Sequence, residues 1–422
     1  MELWLIGPWP KPKERKTLAP SLTLPTLAAL TPKEIVIRIF DEKVQDIPSD
    51  GKPDLVGITV MTHTARRAYE LADAFRKRGS QVVLGGIHVT ALPKEAQKHA
   101  DGIVIGEAED VWMQVIKDAK KHALRPFYES ATPDLNGLPA PRWDLIDKSK
   151  YWTWQLVQTT RGCPFNCEFC SVTKFFGKKL RSRPLEEVVW EIEALEGKWL
   201  FFMDDNIVGN PLYAKLLFEQ IKGLKKRWAA QASIQIAENI PLLKQAAQSG
   251  CKLLFIGFES LQGRNLLKFK RFQSQRIEKF KDAIKKIHEQ GIAIFGSFIL
   301  GQDGDDEGVF EKTLAFAEEN KIEAAFFTTP TPLPGADLRN RLKNENRIID
   351  FDWSHYDFVR VVIKPKDMTA EELQEGIHWL WKEFYSGRSA LKRLFLGGKS
   401  SILFESIALN WYLHGYAARL QR

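Results

Sequence analysis

Three cysteines fall within eight residues of one another, in the run Arg161-Gly162-Cys163-Pro164-Phe165-Asn166-Cys167-Glu168-Phe169-Cys170. The spacing C-x3-C-x2-C puts Cys163, Cys167 and Cys170 into one short loop. Thiolates gathered that closely take a soft metal, either an iron–sulfur cluster or zinc. A 4Fe–4S cluster held by three cysteines keeps one iron free of protein ligands and open to a substrate. Zinc in a structural site wants four ligands in paired C-x2-C knuckles, and the chain has no second pair. The fourth cysteine, Cys251, opens an apolar run far from the loop and reads as a buried small apolar residue. Four cysteines with three in one loop argue for a reducing, cytoplasmic compartment rather than a disulfide framework.

Other chemistry-bearing residues sit where apolar runs end. After 199–203 comes Asp204-Asp205-Asn206, two carboxylates and an amide in succession. The stretch 228–235 alternates, with Gln231, Ser233 and Gln235 on one face of an expected strand and Ala230, Ala232 and Ile234 on the other. A polar stripe inside a barrel needs partners, which a ligand or an internal hydrogen-bond network would supply. Glu259 follows Gly257-Phe258 and shares a face with Gly257 and Phe255, so it is expected to point inward. In the first third of the chain the corresponding ends carry Thr59-Val60-Met61-Thr62-His63, Gly85-Gly86-Ile87-His88-Val89 and Gly106-Glu107. The glycines would let a backbone approach a large flat ligand closely, whereas His63 and His88 read first as packing histidines. Asp303-Gly304-Asp305-Asp306-Glu307-Gly308 suggests a calcium loop, but Leu314 stands where the bidentate Glu belongs, so a solvated turn is expected.

The cysteine loop, with its downstream context, resembles the signature of the radical S-adenosylmethionine (radical SAM) superfamily. The first third resembles the cobalamin-binding domain that precedes the barrel in one large class of that superfamily. The resemblance implies three cofactors: a 4Fe–4S cluster on Cys163, Cys167 and Cys170, S-adenosylmethionine (SAM), and cobalamin. It implies SAM contacts at Phe169, Asp204, Asp205, Gln231, Ser233, Glu259 and Phe298, the last in the strand 296–301 that resembles the one flanking adenine. Asp-Asp-Asn stands here where relatives often carry Gly-Gly-Glu, which keeps a carboxylate but changes the shape. It implies cobalamin contacts at Thr59, Met61, Thr62, His63, Gly85, Gly86, His88, Val89, Gly106 and Glu107. The D-x-H-x-x-G motif of cobalamin carriers is missing, since residues 7–20 hold no His, so no histidine–cobalt bond is expected. The implied reaction is C-methylation of an unactivated carbon. One electron from the cluster cleaves SAM to methionine and a 5′-deoxyadenosyl radical, which takes hydrogen from the substrate. The carbon radical then takes methyl from methylcobalamin, and a second SAM remethylates the cobalt. Cyclisation or ring rearrangement without methyl transfer, a cobalamin-free remnant domain and a non-enzymatic sensor are the alternatives. Resemblance to hopanoid-, lipid- and tetrapyrrole-tailoring members implies a small, hydrophobic substrate and an external one-electron reductant.

These residues need elements to place them. Short apolar runs alternate with amphipathic stretches through residues 1–125, which predicts a parallel, flavodoxin-like α/β sheet covered on both faces. Ligands on such sheets sit at the carboxyl ends of strands, near the switch in strand order. Prolines at 126, 133, 139 and 141 mark 126–150 as a linker. Six strands with intervening helices in 151–345 predict a partial (β/α)6 barrel, again with its site at strand carboxyl ends. Residues 346–422 are expected to be helical.

With 422 residues the chain needs more than one core. A net charge of +8 suits a solvated basic surface, and no basic run interleaved with aromatics argues for nucleic acid. No stretch has the length of a membrane span and no signal peptide is expected. Toward the C-terminus Arg388, Lys392, Arg393 and Lys399 lie beside Leu394-Phe395-Leu396, Ile402-Leu403-Phe404, Trp411 and Tyr412. That mixture fits either a helix packed on the barrel or a peripheral membrane contact.

Overall fold

The computed structural model describes residues 1–10, 14–261, 277–394 and 403–420. Lys399, Phe395, Leu396 and Ile402 of the tail just mentioned lie outside them.

The N-terminal sheet has the order β2-β1-β3-β4-β5-β6, with strands β1 (Glu2–Gly7), β2 (Val36–Asp41), β3 (Leu55–Thr59), β4 (Gln81–Gly85), β5 (Gly102–Ile105) and β6 (Phe127–Glu129). All pairings are parallel. Runs such as Leu3-Trp4-Leu5-Ile6 are apolar throughout because helices cover both faces. The helix Ala65–Lys77 packs Ala68, Leu71, Ala72 and Phe75 on one face, and Trp112–Lys120 packs Trp112, Val115 and Ile116 on the other. Strand order switches between β1 and β3, so their carboxyl ends open the crevice where a ligand fits. Phe127–Glu129 joins this sheet, carrying the unit beyond the expected boundary at residue 125 and into the stretch read as linker. The prolines there punctuate the chain without keeping it out of the fold.

The second sheet runs β14-β13-β12-β11-β10-β7, built from β7 (Leu156–Val157), β10 (Trp199–Phe202), β11 (Arg227–Ala232), β12 (Cys251–Glu259), β13 (Ala293–Ile299) and β14 (Ala324–Thr328). It is parallel throughout and in consecutive order, an open six-stranded barrel. Side-chain contacts fix which face is inside. Phe258 meets Phe280 of the helix Ile277–Glu289, and Phe298 meets Phe316 of Val309–Glu319, so these face the helical layer. Phe255, Phe295 and Phe326, on the opposite face, cluster with one another at 4.8 to 6.2 Å between centroids.

An open barrel leaves edge strands whose N–H and C=O groups lack a neighbour. At β14 the C-terminal region supplies one. Ala325 N–H donates to the Tyr385 hydroxyl (3.0 Å), which donates back to the Ala325 carbonyl (2.7 Å), and Trp381 Nε1 donates to the Phe327 carbonyl (2.9 Å). The helix that brings them, Ala370–Phe384, starts on a capping box between Thr369 and Glu372. Arg393 is only 1% exposed and donates to the Ile322, Glu323 and Phe384 carbonyls and to Asn410 Oδ1. Lys392 pairs with Glu318. Tyr385, Trp381 and Arg393 thus seal the barrel's edge, and Arg393 is not available to a membrane. Residues 346–369 are not helical as expected, apart from the turn Trp353–His355. They form an arm, pinned by the Ile348–Ile363 bridge, that crosses to the N-terminal unit, where Trp353 Nε1 donates to Glu95 (3.0 Å) and Asp352 pairs with Arg66.

Candidate functional site

The cysteine loop leaves β8 (Thr160–Arg161), which forms a two-residue antiparallel hairpin with β9 (Arg181–Ser182). Gly162 turns the chain at φ 93°, and a Cβ there would stand 2.8 Å from the Lys179 carbonyl oxygen, so only glycine can start this loop. Cys167 is buried, while Cys163 and Cys170 are half-buried, and none is in a disulfide. The loop is tied at its far side: Leu338 N–H donates to the Glu168 carbonyl (2.8 Å), and the Glu168 carboxylate pairs with Arg341 (2.6 Å). Phe169 packs on the cluster of Leu338, Leu342, Ile348, Tyr356, Val362 and Ile363. Among the described residues no three His, Cys, Asp or Glu side chains converge on a single ion. The fit to a cluster therefore rests on three thiols in a short, braced loop beside the barrel mouth.

The three polar residues after β10 do three different jobs. Asp204 is fully buried and accepts from the Thr159 and Thr160 amides and both hydroxyls, including Thr159 Oγ1 at 2.8 Å. Burial pushes its carboxyl up, and the four donors oppose that. Asn206 reaches across to β11, where its Oδ1 accepts from Ser233 N–H (3.0 Å). Asp205 is left: one oxygen takes the Gly162 N–H, while Oδ2 is buried with no hydrogen-bond partner among the described residues. Desolvation, then the neighbouring Asp204, push its carboxyl up to about 7. A buried oxygen without a donor calls for one, and an ammonium group at the barrel mouth would satisfy it. Asp204 was expected to touch SAM, but its acceptor capacity is spent inside the protein.

Other expected SAM contacts divide similarly. Gln231 stands exposed, in register with Phe255 on the inner face. Strand β11 stops at Ala232 instead of running to residue 235. Ser233 caps the turn Ile234–Glu238, with its Oγ accepting from Gln235 N–H, so Gln235 leaves the stripe. At Glu259 the register slips by one residue and φ is 65°, a β-bulge that breaks the alternation from which an inward direction was read. Phe298 is 1% exposed and stacked between Phe258 (5.2 Å) and Phe327 (5.7 Å) on the helical side. Its ring cannot reach a ligand in the barrel, and Ser297 is its inward neighbour.

At the N-terminal crevice, Met61 is 52% exposed just past β3, and Thr59, His63, Gly85 and Gly86 are half-buried around it. His63 lies edge-on to Trp9, 5.8 Å between centroids. An exposed thioether on a rim of small and flat groups suits a broad apolar ligand face. Gly86 has φ 109°, and a Cβ would meet the Val60 carbonyl oxygen at 2.8 Å. It starts a short helix, Ile87–Ala91, that takes His88 and Val89 off the strand end. Both are buried, as is Thr62: His88 Nε2 lies 3.3 Å from Glu95 and its ring meets Trp353, so none of the three offers a side chain to the crevice. Thr90, not singled out from sequence, accepts the Gly106 N–H (2.9 Å). Glu107 departs furthest from expectation. It is buried in ion pairs with Arg161 (2.5 Å) and Arg181, while Glu109 takes the other arm of Arg161 (2.5 Å). Thr159, Thr160, Asn206, Glu109, Arg161 and Arg181 carry no motif that marks these partnerships. The two acids Glu107 and Glu109 and the arginines flanking the cysteine loop were their only trace.

The chain matches the radical SAM superfamily over residues 157–317 and the B12-binding domain over residues 31–116. It is 32% identical over 386 residues to bacteriochlorophyllide d C-12(1)-methyltransferase of Chlorobaculum tepidum, covering 88% of this chain and 84% of that protein. It is 30% identical over 424 residues to the C-8(2)-methyltransferase of the same organism, covering 95% and 93%. A hopanoid C-2 methylase of Rhodopseudomonas palustris is 26% identical over 379 residues, covering 84% and 71%. The fold is similar to that of the radical SAM methyltransferase TsrM from Kitasatospora setae, solved with cobalamin and a [4Fe-4S] cluster. The TM-score is 0.67 at 14% identity, over 98% of this chain and 90% of that one.

Proposed function

The chain belongs to the radical SAM superfamily, in the class with a B12-binding domain, and from that premise we propose that it methylates carbon on a hydrophobic, tetrapyrrole-like substrate. It is a cobalamin-dependent radical SAM methyltransferase that uses a 4Fe–4S cluster, SAM and cobalamin. When bound, these groups supply an electron, a radical initiator and a methyl carrier, which a carbon without an acidic proton requires.

Cys163, Cys167 and Cys170 would hold the cluster. Asp205 would receive the SAM ammonium on its bare oxygen, and its carboxylate must be ionised to do so. Phe169, half-buried beside Cys170, would wall the cofactor, with Gln231 on the inner face nearby in the barrel. Met61, with Thr59, His63, Gly85 and Gly86, would carry the corrin. The observation that carries this assignment is the unequal use of Asp204, Asp205 and Asn206, which leaves one buried acceptor open beside the cysteine loop. The inner Phe255, Phe295 and Phe326 exclude water beneath it. Residues 1–129 and 151–345 act as cofactor-binding units in this reading, and the described residues from 346 onward as a brace.

The macrocyclic substrate is proposed from the bacteriochlorophyllide d methyltransferases of Chlorobaculum tepidum, the two relatives at 30% identity or more reported above. An external one-electron reductant and a reducing, cytoplasmic compartment complete the proposal. Among the described residues no helix is long and apolar enough to cross a membrane. For a poorly soluble substrate we propose a peripheral contact through the exposed Leu391, Ile407 and Trp411, the last 73% exposed. Trp411→Ser should weaken flotation with anionic vesicles; equal flotation removes this part.

The deciding experiment is anaerobic reconstitution with SAM, a reductant and a bacteriochlorophyllide. S-adenosylhomocysteine and 5′-deoxyadenosine should form together with a product heavier by one methyl group. 5′-Deoxyadenosine with an unmethylated, rearranged product would favour cyclisation, the reaction named for anaerobic magnesium-protoporphyrin IX monomethyl ester cyclase of Cereibacter sphaeroides, 26% identical over 427 residues.

A further inference from the structure

We infer that Glu107 and Glu109 are positioning residues for the cysteine loop, and that they set the cluster's place relative to the corrin crevice through Arg161. The inference rests on the proposed cofactor sites. Arg161 and Arg181 are register partners across the β8–β9 hairpin, and both converge on Glu107. Arg161 spreads its fork: Nη1 to Glu107, Nη2 to Glu109 and Nε to Gln158 Oε1 (2.8 Å). Two cations and two anions, all largely buried, thus balance across the boundary between the two sheets. Buried pairs of this kind add little net stability but fix one geometry, because every misplacement leaves a desolvated charge unpaired.

The linkage is short at both ends. Glu107 follows Gly106, whose N–H is held by Thr90 in the same Gly85–Thr90 stretch that rims the crevice. Arg161 precedes Gly162, which is wedged against the Lys179 carbonyl and opens directly into Cys163. Behind it, Thr159 and Thr160 are fixed by Asp204. A shift of β5 would therefore carry the cysteine loop with it.

The test uses the full chain as Glu107→Gln/Glu109→Gln, with Lys120→Gln, a surface pair with Glu34, as control. In cluster-free, cobalamin-free protein, hydrogen exchange over residues 160–182 should accelerate in the double variant while β12 to β14 stay protected. In loaded protein, pulsed electron paramagnetic resonance should show a broadened or lengthened separation between the reduced cluster and cob(II)alamin. With dithionite and SAM, 5′-deoxyadenosine formation should stay near wild type. S-adenosylhomocysteine per cobalt should fall about a hundredfold, as expected for a misplacement of ~1 Å. Arg161→Lys keeps the charge but loses the fork, and must reproduce these effects, so the inference stays testable where the double variant does not fold. A lower melting temperature with unchanged separation and product ratio would overturn the inference, as would an equal loss of both products. Wild-type protein that binds no cobalamin would instead refute the proposed function, while the exchange measurement still judges the linkage.

Discussion

Replacing Asp205 by Asn should stabilise the cofactor-free protein and weaken SAM binding at the same time. The amide is close in shape and keeps an oxygen to accept the Gly162 N–H, so the substitution removes mainly the charge. A carboxyl raised from 3.8 to about 7 binds its proton more tightly folded than unfolded. Between those values the native state holds a proton that the unfolded state has lost. Stability therefore falls as pH rises from about 4 to about 7, by at most ~4 kcal/mol. The variant escapes that loss, so its advantage should grow over this window and level off above pH 7. Urea unfolding of cofactor-free protein at pH 5, 6, 7 and 8 measures it. In cluster-loaded protein the missing charge-assisted hydrogen bond should cost about 1.5–3 kcal/mol, which is about 10- to 150-fold in SAM affinity. Titration of the cluster's magnetic resonance signal with SAM reads this directly. Wild-type affinity should rise between pH 6 and 8, since Asp205 must shed its proton to meet an ammonium. A variant that is less stable at pH 8, or that binds SAM as tightly as wild type, refutes the assignment.

Four further outcomes are expected. Serine at Cys163, Cys167 or Cys170 should abolish stable iron uptake on anaerobic reconstitution, whereas Cys251→Ala should leave the cluster signal intact, since Cys251 is buried in the barrel core. Gly162→Ala should cost on the order of 1–3 kcal/mol of stability and lower cluster occupancy, measured as iron per chain. Bound cob(II)alamin should show no nitrogen superhyperfine splitting, because residues 7–20 hold no His, His88 is buried against Glu95 and Trp353, and the His63 ring lies edge-on to Trp9; a nitrogen triplet that disappears in His63→Ala would reverse this. Arg393→Met should lower stability by at least about 2 kcal/mol in thermal unfolding, because the variant strips donors from the Ile322 carbonyl, at the base of β14, and from the Phe384 carbonyl.

Much of the fold was legible because its signals are local. Apolar runs as short as Gly102–Ile105 sit between breakers, and a parallel sheet needs both faces apolar, so strand positions emerge directly. Boundaries failed where a distant partner decided them. β11 stops at Ala232 because Asn206 holds the Ser233 amide and Ser233 caps the turn that follows. Phe127–Glu129 is a strand because β5 offers it an edge, whatever the surrounding prolines suggest. The basic tail looked amphipathic in isolation; only the exposed backbone at β14 explains why the Arg393 guanidinium is buried there, beside the Trp381 indole and the Tyr385 phenol of the preceding helix.

The site was legible at the level of the loop and not at the level of single side chains. Three cysteines in one loop announce their chemistry through spacing alone. Asp-Asp-Asn announces only that polar groups are wanted, and its division depends on what faces each residue. Asp204 meets four donors from residues 159 and 160, Asn206 meets an amide at the end of the next strand, and Asp205 meets one amide and, among the described residues, no further donor. Glu107 shows the same limit more sharply. Beside Gly106, at a strand's carboxyl end, an acid reads as a ligand contact, yet its partner is an arginine 54 positions later. Charge complementarity between distant segments leaves no periodicity and no spacing, so it surfaces only when the fold closes. That closure puts the acid end of one sheet against the basic neck of the cysteine loop. The least legible pair in the sequence thus also helps to join the two cofactor-binding units, alongside contacts such as the Tyr151–Asp41 hydrogen bond.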